Sequence, residues 1–150
     1  MPFGTIVASG IMLALSSAGT QAKNHQLLVA PKESAGAAVS RQLRELTSGQ
    51  FGREWDELHP AQQQSVGRSQ WERCAAAVYL PELKGVTVLE TYADPIDVPD
   101  VPEKTSMAVT VRMDTSAGQE TTTFHEVAVG GQWRWVLSDL SPYKDGKCPA

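Results

Sequence analysis

The chain has 150 residues, 41% of them hydrophobic and 20% charged, and a formal net charge of −4. That length suits one domain with a self-sufficient core, and the composition excludes disordered and fibrous classes. A pI near 5.3 leaves no basic footprint for gripping phosphate backbones, so no nucleic-acid partner is expected.

Residues 1–22, MPFGTIVASGIMLALSSAGTQA, carry no charge, hold an apolar core from Ile6 to Leu15 and then turn to small residues. That is the outline of a signal peptide cleaved after Ala18 or Ala22, although no Lys or Arg precedes Lys23 to supply the usual basic start. The apolar run is shorter than the roughly 20 residues a membrane span requires. No Cys follows it to take a lipid. A secreted or cell-envelope location is the expectation. In such an oxidising compartment Cys74 and Cys148, the only two cysteines, should form a disulfide. Closing a loop of about 75 residues is worth roughly 3 to 4 kcal/mol.

Residues 23–33, interrupted by Pro31, read as a flexible lead, and the domain should occupy 34–150. Ser34 is suited to cap a helix over about 35–48, in which Ala38, Val39, Leu43 and Leu46 recur at helical spacing until Gly49. Phe51, Trp55 and Leu58 predict a short second helix. Pro60 then forces His59 into a corner and suits the first turn of a short helix at 61–66. Ser65 or Ser69 could cap a further helix over 69–79, with Trp71, Cys74, Ala75 and Val78 on its apolar face.

After Gly85 the period becomes alternating. VTVLETYA at 86–93 predicts a strand, and the acidic, proline-punctuated stretch at 94–103 an exposed connection. TSMAVTVRMDT puts Met107, Val109, Val111 and Met113 on one face and Ala108, Thr110, Arg112 and Asp114 on the other. Turns at SAG and GGQ lead to QETTTFHEVAV and WRWVLSDL, completing an antiparallel meander. The fold class is therefore α+β: N-terminal helices packed on a curved antiparallel four-stranded sheet, a cone-shaped roll.

The helix order, the motif WDELHPAQQ followed by WERC, and the later WRWVL and CP resemble the nuclear transport factor 2-like (cystatin-like) superfamily, and within it small exported actinobacterial proteins and lipoproteins of unknown function. The resemblance covers residues 34–150 and implies a cone between helices and sheet in which members bind ligands or act as isomerases and cyclases. It does not choose an activity. No catalytic triad of the family maps onto this chain.

His125 is the histidine to weigh for acid, base or ligand chemistry, if its face looks into the cone near Met107, Val109 and Trp135, with Tyr92 or Asp114 as helpers. His59 reads as a corner residue, and Asp56 and Glu57 as solvated acids. Trp55, Trp71, Trp133 and Trp135 either fill the sheet–helix gap or, with Met107, Val109 and His125, line an apolar ligand pocket. Three scattered His and two bonded Cys leave no metal constellation, Asp94, Asp97 and Asp100 lack the spacing of a calcium loop, and no cofactor is expected. The functional expectation is an exported non-enzymatic domain that binds a small apolar molecule or a protein partner at the cell envelope, with homodimerisation through the sheet possible in principle. The alternatives are a cyclase- or isomerase-like enzyme acting in the cone and a structural accessory module of an envelope complex.

Overall fold

The computed structural model describes residues 29–78 and 80–148, so the signal peptide expected at 1–22 and most of the lead lie outside the described residues. Four helices, α1 (Ala35–Thr47), α2 (Phe51–Glu57), α3 (Pro60–Ser65) and α4 (Arg68–Ala77), precede four strands, β1 (Leu83–Pro95), β2 (Thr105–Thr115), β3 (Gly118–Val129) and β4 (Gln132–Val136). The strands pair antiparallel in chain order. The α+β architecture with helices preceding an open, curved sheet is thus as the alternation indicates.

Local signals position the helices. Ser34 Oγ accepts from Ala37 N at 3.1 Å, capping α1, and Gly49 takes the left-handed φ of 77° that ends it. Ala35, Val39 and Leu43 then present one stripe of α1 to Val109 and Val111 of β2. Gly67 rather than Ser65 or Ser69 caps α4, without a side-chain bond. Strand β1 extends beyond 86–93 in both directions and takes in Asp94 and Pro95; Pro95 is tolerated because β1 is an edge strand. β4 ends at Val136, short of the expected run to Leu140.

The corner LHPAQ closes the other edge of the sheet. Leu58 bridges Trp135 in parallel, His59 N donates to Trp135 O at 3.0 Å, and the Gln62 amide, 0% exposed, reads the next residues as a strand would. Its Nε2 donates to Leu137 O at 2.7 Å and its Oε1 accepts from Leu137 N at 3.0 Å. His59 turns the corner as the α3 cap, its Nδ1 accepting from Ala61 N at 3.2 Å. Its Nε2 lies 3.0 Å from Glu103 Oε2, an ion-pair distance without good hydrogen-bond alignment. The edge β1 has no such cover among the described residues, and Val88, Leu89 and Tyr92 are exposed along it.

Cys74 on α4 and Cys148 are disulfide-bonded across a separation of 74 residues. The bond draws the C-terminal tail onto α4, where Trp71 stacks on Tyr143 at 4.7 Å and meets Trp135 edge-on at 5.6 Å.

Candidate functional site

The sheet has an inner face toward the helices and an outer face, and the register sorts the candidate residues between them. Val109 pairs with Phe124, and Met107 with Glu126, which pairs in turn with Trp135. Directly paired residues share a face. Phe124, Glu126, Trp133 and Trp135 therefore look inward, and His125 looks outward. His125 does not join Met107, Val109 and Trp135 as the sequence reading supposed; it belongs to the outer row Tyr92, Ala108, His125, Val136.

The inner face is packed. Trp55, Trp71 and Trp135 cluster with Leu58, Val66 and Leu140, while Trp133, Met107 and Val109 pack with the α1 stripe. Between α1 and the sheet, among the described residues, lies a cavity of about 10 Å³ bordered by Val39, Gln42, Leu43, Leu46, Glu54, Phe124 and Trp135. That is room for about one water, against the ~300 Å³ or more of an ordinary small-molecule site.

Two buried carboxyls that the sequence reading did not single out share this interior. Glu54 of α2 is 1% exposed and accepts from Trp71 Nε1 at 3.3 Å; Glu126 of β3 is 0% exposed and accepts from Gln42 Nε2 at 3.3 Å. Glu126 Oε1 has no hydrogen-bond partner among the described residues. Burial, only partly offset by these single bonds, pushes each carboxyl up to about 8, so both are protonated at neutral pH. Gln42 Nε2 also reaches Glu57 Oε2 at 3.5 Å, and Glu57 pairs with Arg41 at 2.8 Å, linking the interior to the rim. The parity of Glu126 with Phe124 was the one sequence signal for an inward acid.

On the outer face the connection 96–104 folds back over the sheet, and Ile96, Val98 and Val101 cover Val127 and Val136. Beside them opens a depression of about 240 Å³ lined by Asp94, Pro95, Ile96, Asp97, Val98, His125, Val136 and Ser138. A second, of about 90 Å³, adjoins it through Val98 and Ser138 and runs on past Asp100, Leu137, Asp139 and Leu140 to Lys144. Together they form one groove between the connection and the chain leaving β4. A wider depression of about 450 Å³ lies where residues 29–33 cross Gly130–Trp133, and Trp133 is tied there by donation from Nε1 to Glu33 O.

His125, with 30% of its side chain exposed, is the ionisable ring of the groove. Ser106 Oγ lies 2.9 Å from His125 Nδ1 and 3.2 Å from Asp94 O, and Asp94 Oδ2 lies 3.8 Å from the same nitrogen. Ser106 Oγ and His125 Nδ1 share a hydrogen bond whose direction follows the imidazole tautomer, and Ser106 Oγ also donates to the Asp94 carbonyl. Serine and carboxylate thus crowd one nitrogen, unlike a nucleophile–base–acid relay, and Ser106 is itself buried. Tyr92 shares the outer row with His125, two strands away. Asp114 is six residues along β2 from Ala108, roughly 20 Å away, and accepts from Gln119. Tyr92 and Asp94 thus lie near His125 on this face, whereas Asp114 sits at its far end.

Among the described residues no group of three or more His, Cys, Asp or Glu could hold a metal ion, and no helix is long and apolar enough to cross a membrane. No protein-family model matches the chain, and no curated protein sequence matches it.

Proposed function

We propose that the chain is an exported, non-enzymatic domain of the nuclear transport factor 2-like kind that engages a protein partner at the cell envelope through the outer groove beside His125. The observation that carries this reading is the packed interior: the space of about 10 Å³ between α1 and the sheet is too small for a small-molecule ligand or substrate. The disulfide suits an oxidising compartment, and the groove is the depression in which apolar side chains and an ionisable ring converge. An accessory role in an envelope complex is the same reading with a permanent partner.

A photo-crosslinker placed at exposed Ser138 should capture one discrete partner on intact cells, and the same group at exposed Thr121 should not. An apolar fluorescent probe should show no saturable, stoichiometric binding that quenches the tryptophans. Such binding, or equal capture from both positions, would overturn the proposal.

A second reading keeps chemistry but moves it out of the cone: His125, partly exposed with Nδ1 hydrogen-bonded to Ser106, is placed to act as an acid or base. Turnover on a screened substrate panel that His125→Ala abolishes would support it, and unchanged turnover would eliminate it.

A further inference from the structure

The groove has a chemical character that narrows its occupant. Its floor is apolar, made by Ile96, Val98 and Val136 and continued by Leu137 and Leu140. Its rim carries four aspartates, Asp94, Asp97, Asp100 and Asp139. Two are held firmly ionised: hydrogen bonding and the charge of Lys104 keep Asp97 below the usual carboxylate range, and bonds from Ser141 do so for Asp139. The cations at hand are few. Lys104 pairs with Asp97 at 2.9 Å, and Lys144 borders the far end. The groove's lining runs from Asp94 and Pro95 at the end of β1 to Ser141 in the 3₁₀ turn, more than one strand's length of chain away.

We infer that the occupant is an extended, basic segment of a partner protein, with alternate apolar side chains on the Val98–Val136 floor and Lys or Arg side chains at the aspartate rim. This rests on the binding role proposed above and specifies its partner. An extended chain turns alternate side chains to opposite sides, which matches a groove with an apolar floor and a charged rim. The acids steer such a segment in from solution and reject acidic competitors.

The test is titration of the ¹⁵N-labelled full chain with two short blocked peptides, one alternating Lys with Val and the other Glu with Val. The Lys–Val peptide should shift the amide signals of Val98, Val136 and Ser138 saturably, with affinity falling steeply between low and physiological salt. Asp97→Lys combined with Asp100→Asn should weaken it about tenfold. Both residues are exposed, and asparagine tolerates the left-handed backbone at Asp100, so the variant should fold. Equal shifts from the Glu–Val peptide, shifts centred elsewhere, or indifference to the double substitution would overturn the inference. The binding role is judged separately by the Ser138 cross-link: its persistence with no Lys–Val binding removes only the basic-segment inference, and its absence removes both.

Discussion

Replacing Gln62 by Leu isolates what the LHPAQ corner contributes. The side chain is fully buried, and its amide satisfies both the N–H and the C=O of Leu137. Leucine keeps most of the volume and removes both partners, leaving two backbone groups unpaired in a part-buried place. At about 1 to 3 kcal/mol for each orphaned group, the loss should be about 2 to 6 kcal/mol. In a domain of this size that lowers Tm by very roughly 10 to 20 °C. Urea unfolding with the disulfide intact, followed by tryptophan fluorescence, gives the free energy, and hydrogen exchange at the Leu137 amide gives the local effect. Gln62→Glu is the control: it keeps an acceptor for Leu137 N–H but loses the donor to Leu137 O unless protonated, so its deficit should grow as pH rises. A loss below about 0.5 kcal/mol in Gln62→Leu, with Leu137 still protected, would refute the idea that this amide acts as a surrogate strand.

The buried acids set a pH dependence of definite sign. Glu54 and Glu126 have folded values near 8, above their unfolded values, so the stability they contribute is complete below about pH 4.5 and is lost as pH rises toward and through 8. Urea midpoints should therefore fall from pH 5 to pH 8, and Glu126→Gln should roughly halve that slope; an unchanged slope would refute the assignment. Reducing the disulfide should cost roughly 3 to 4 kcal/mol and, by freeing the tail that carries Tyr143, alter Trp71 fluorescence before global unfolding. His59→Asn keeps a capping side chain but abandons Glu103, so it should destabilise less than His59→Ala, by about 1 kcal/mol, in thermal melts.

The order of elements was legible because each carries its own local chemistry: a serine cap before α1, a left-handed glycine after it, a proline at the α3 start and strict alternation in β2. The facing of β3 was not. In Thr122–Val129 apolar residues occur at both parities, Phe124 on one side and Val127 on the other, because both faces are covered, one by helices and one by the 96–104 connection. Alternation identifies a buried face only when the opposite face meets water. Parity therefore could not say which face His125 takes, and the pairing puts it on the outer one. The burial of Glu54 and Glu126 was hard to read for a related reason: a carboxyl reads as solvated until a tertiary partner, here Trp71 or Gln42, is placed against it. The role of Gln62 depends on a contact 75 residues away, beyond any local pattern.

The two borders of the sheet are unlike, and that asymmetry limits how copies of the chain can stick together. A fibril of stacked sheets requires each molecule to offer two free borders, so that every addition exposes another. Among the described residues, the molecule's own corner pairs with β4 at Trp135, and the open border is β1. Edge-to-edge association therefore terminates at a pair, each copy using up the other's single open border. The LHPAQ corner acts as a chain terminator for assembly as well as a brace for the fold.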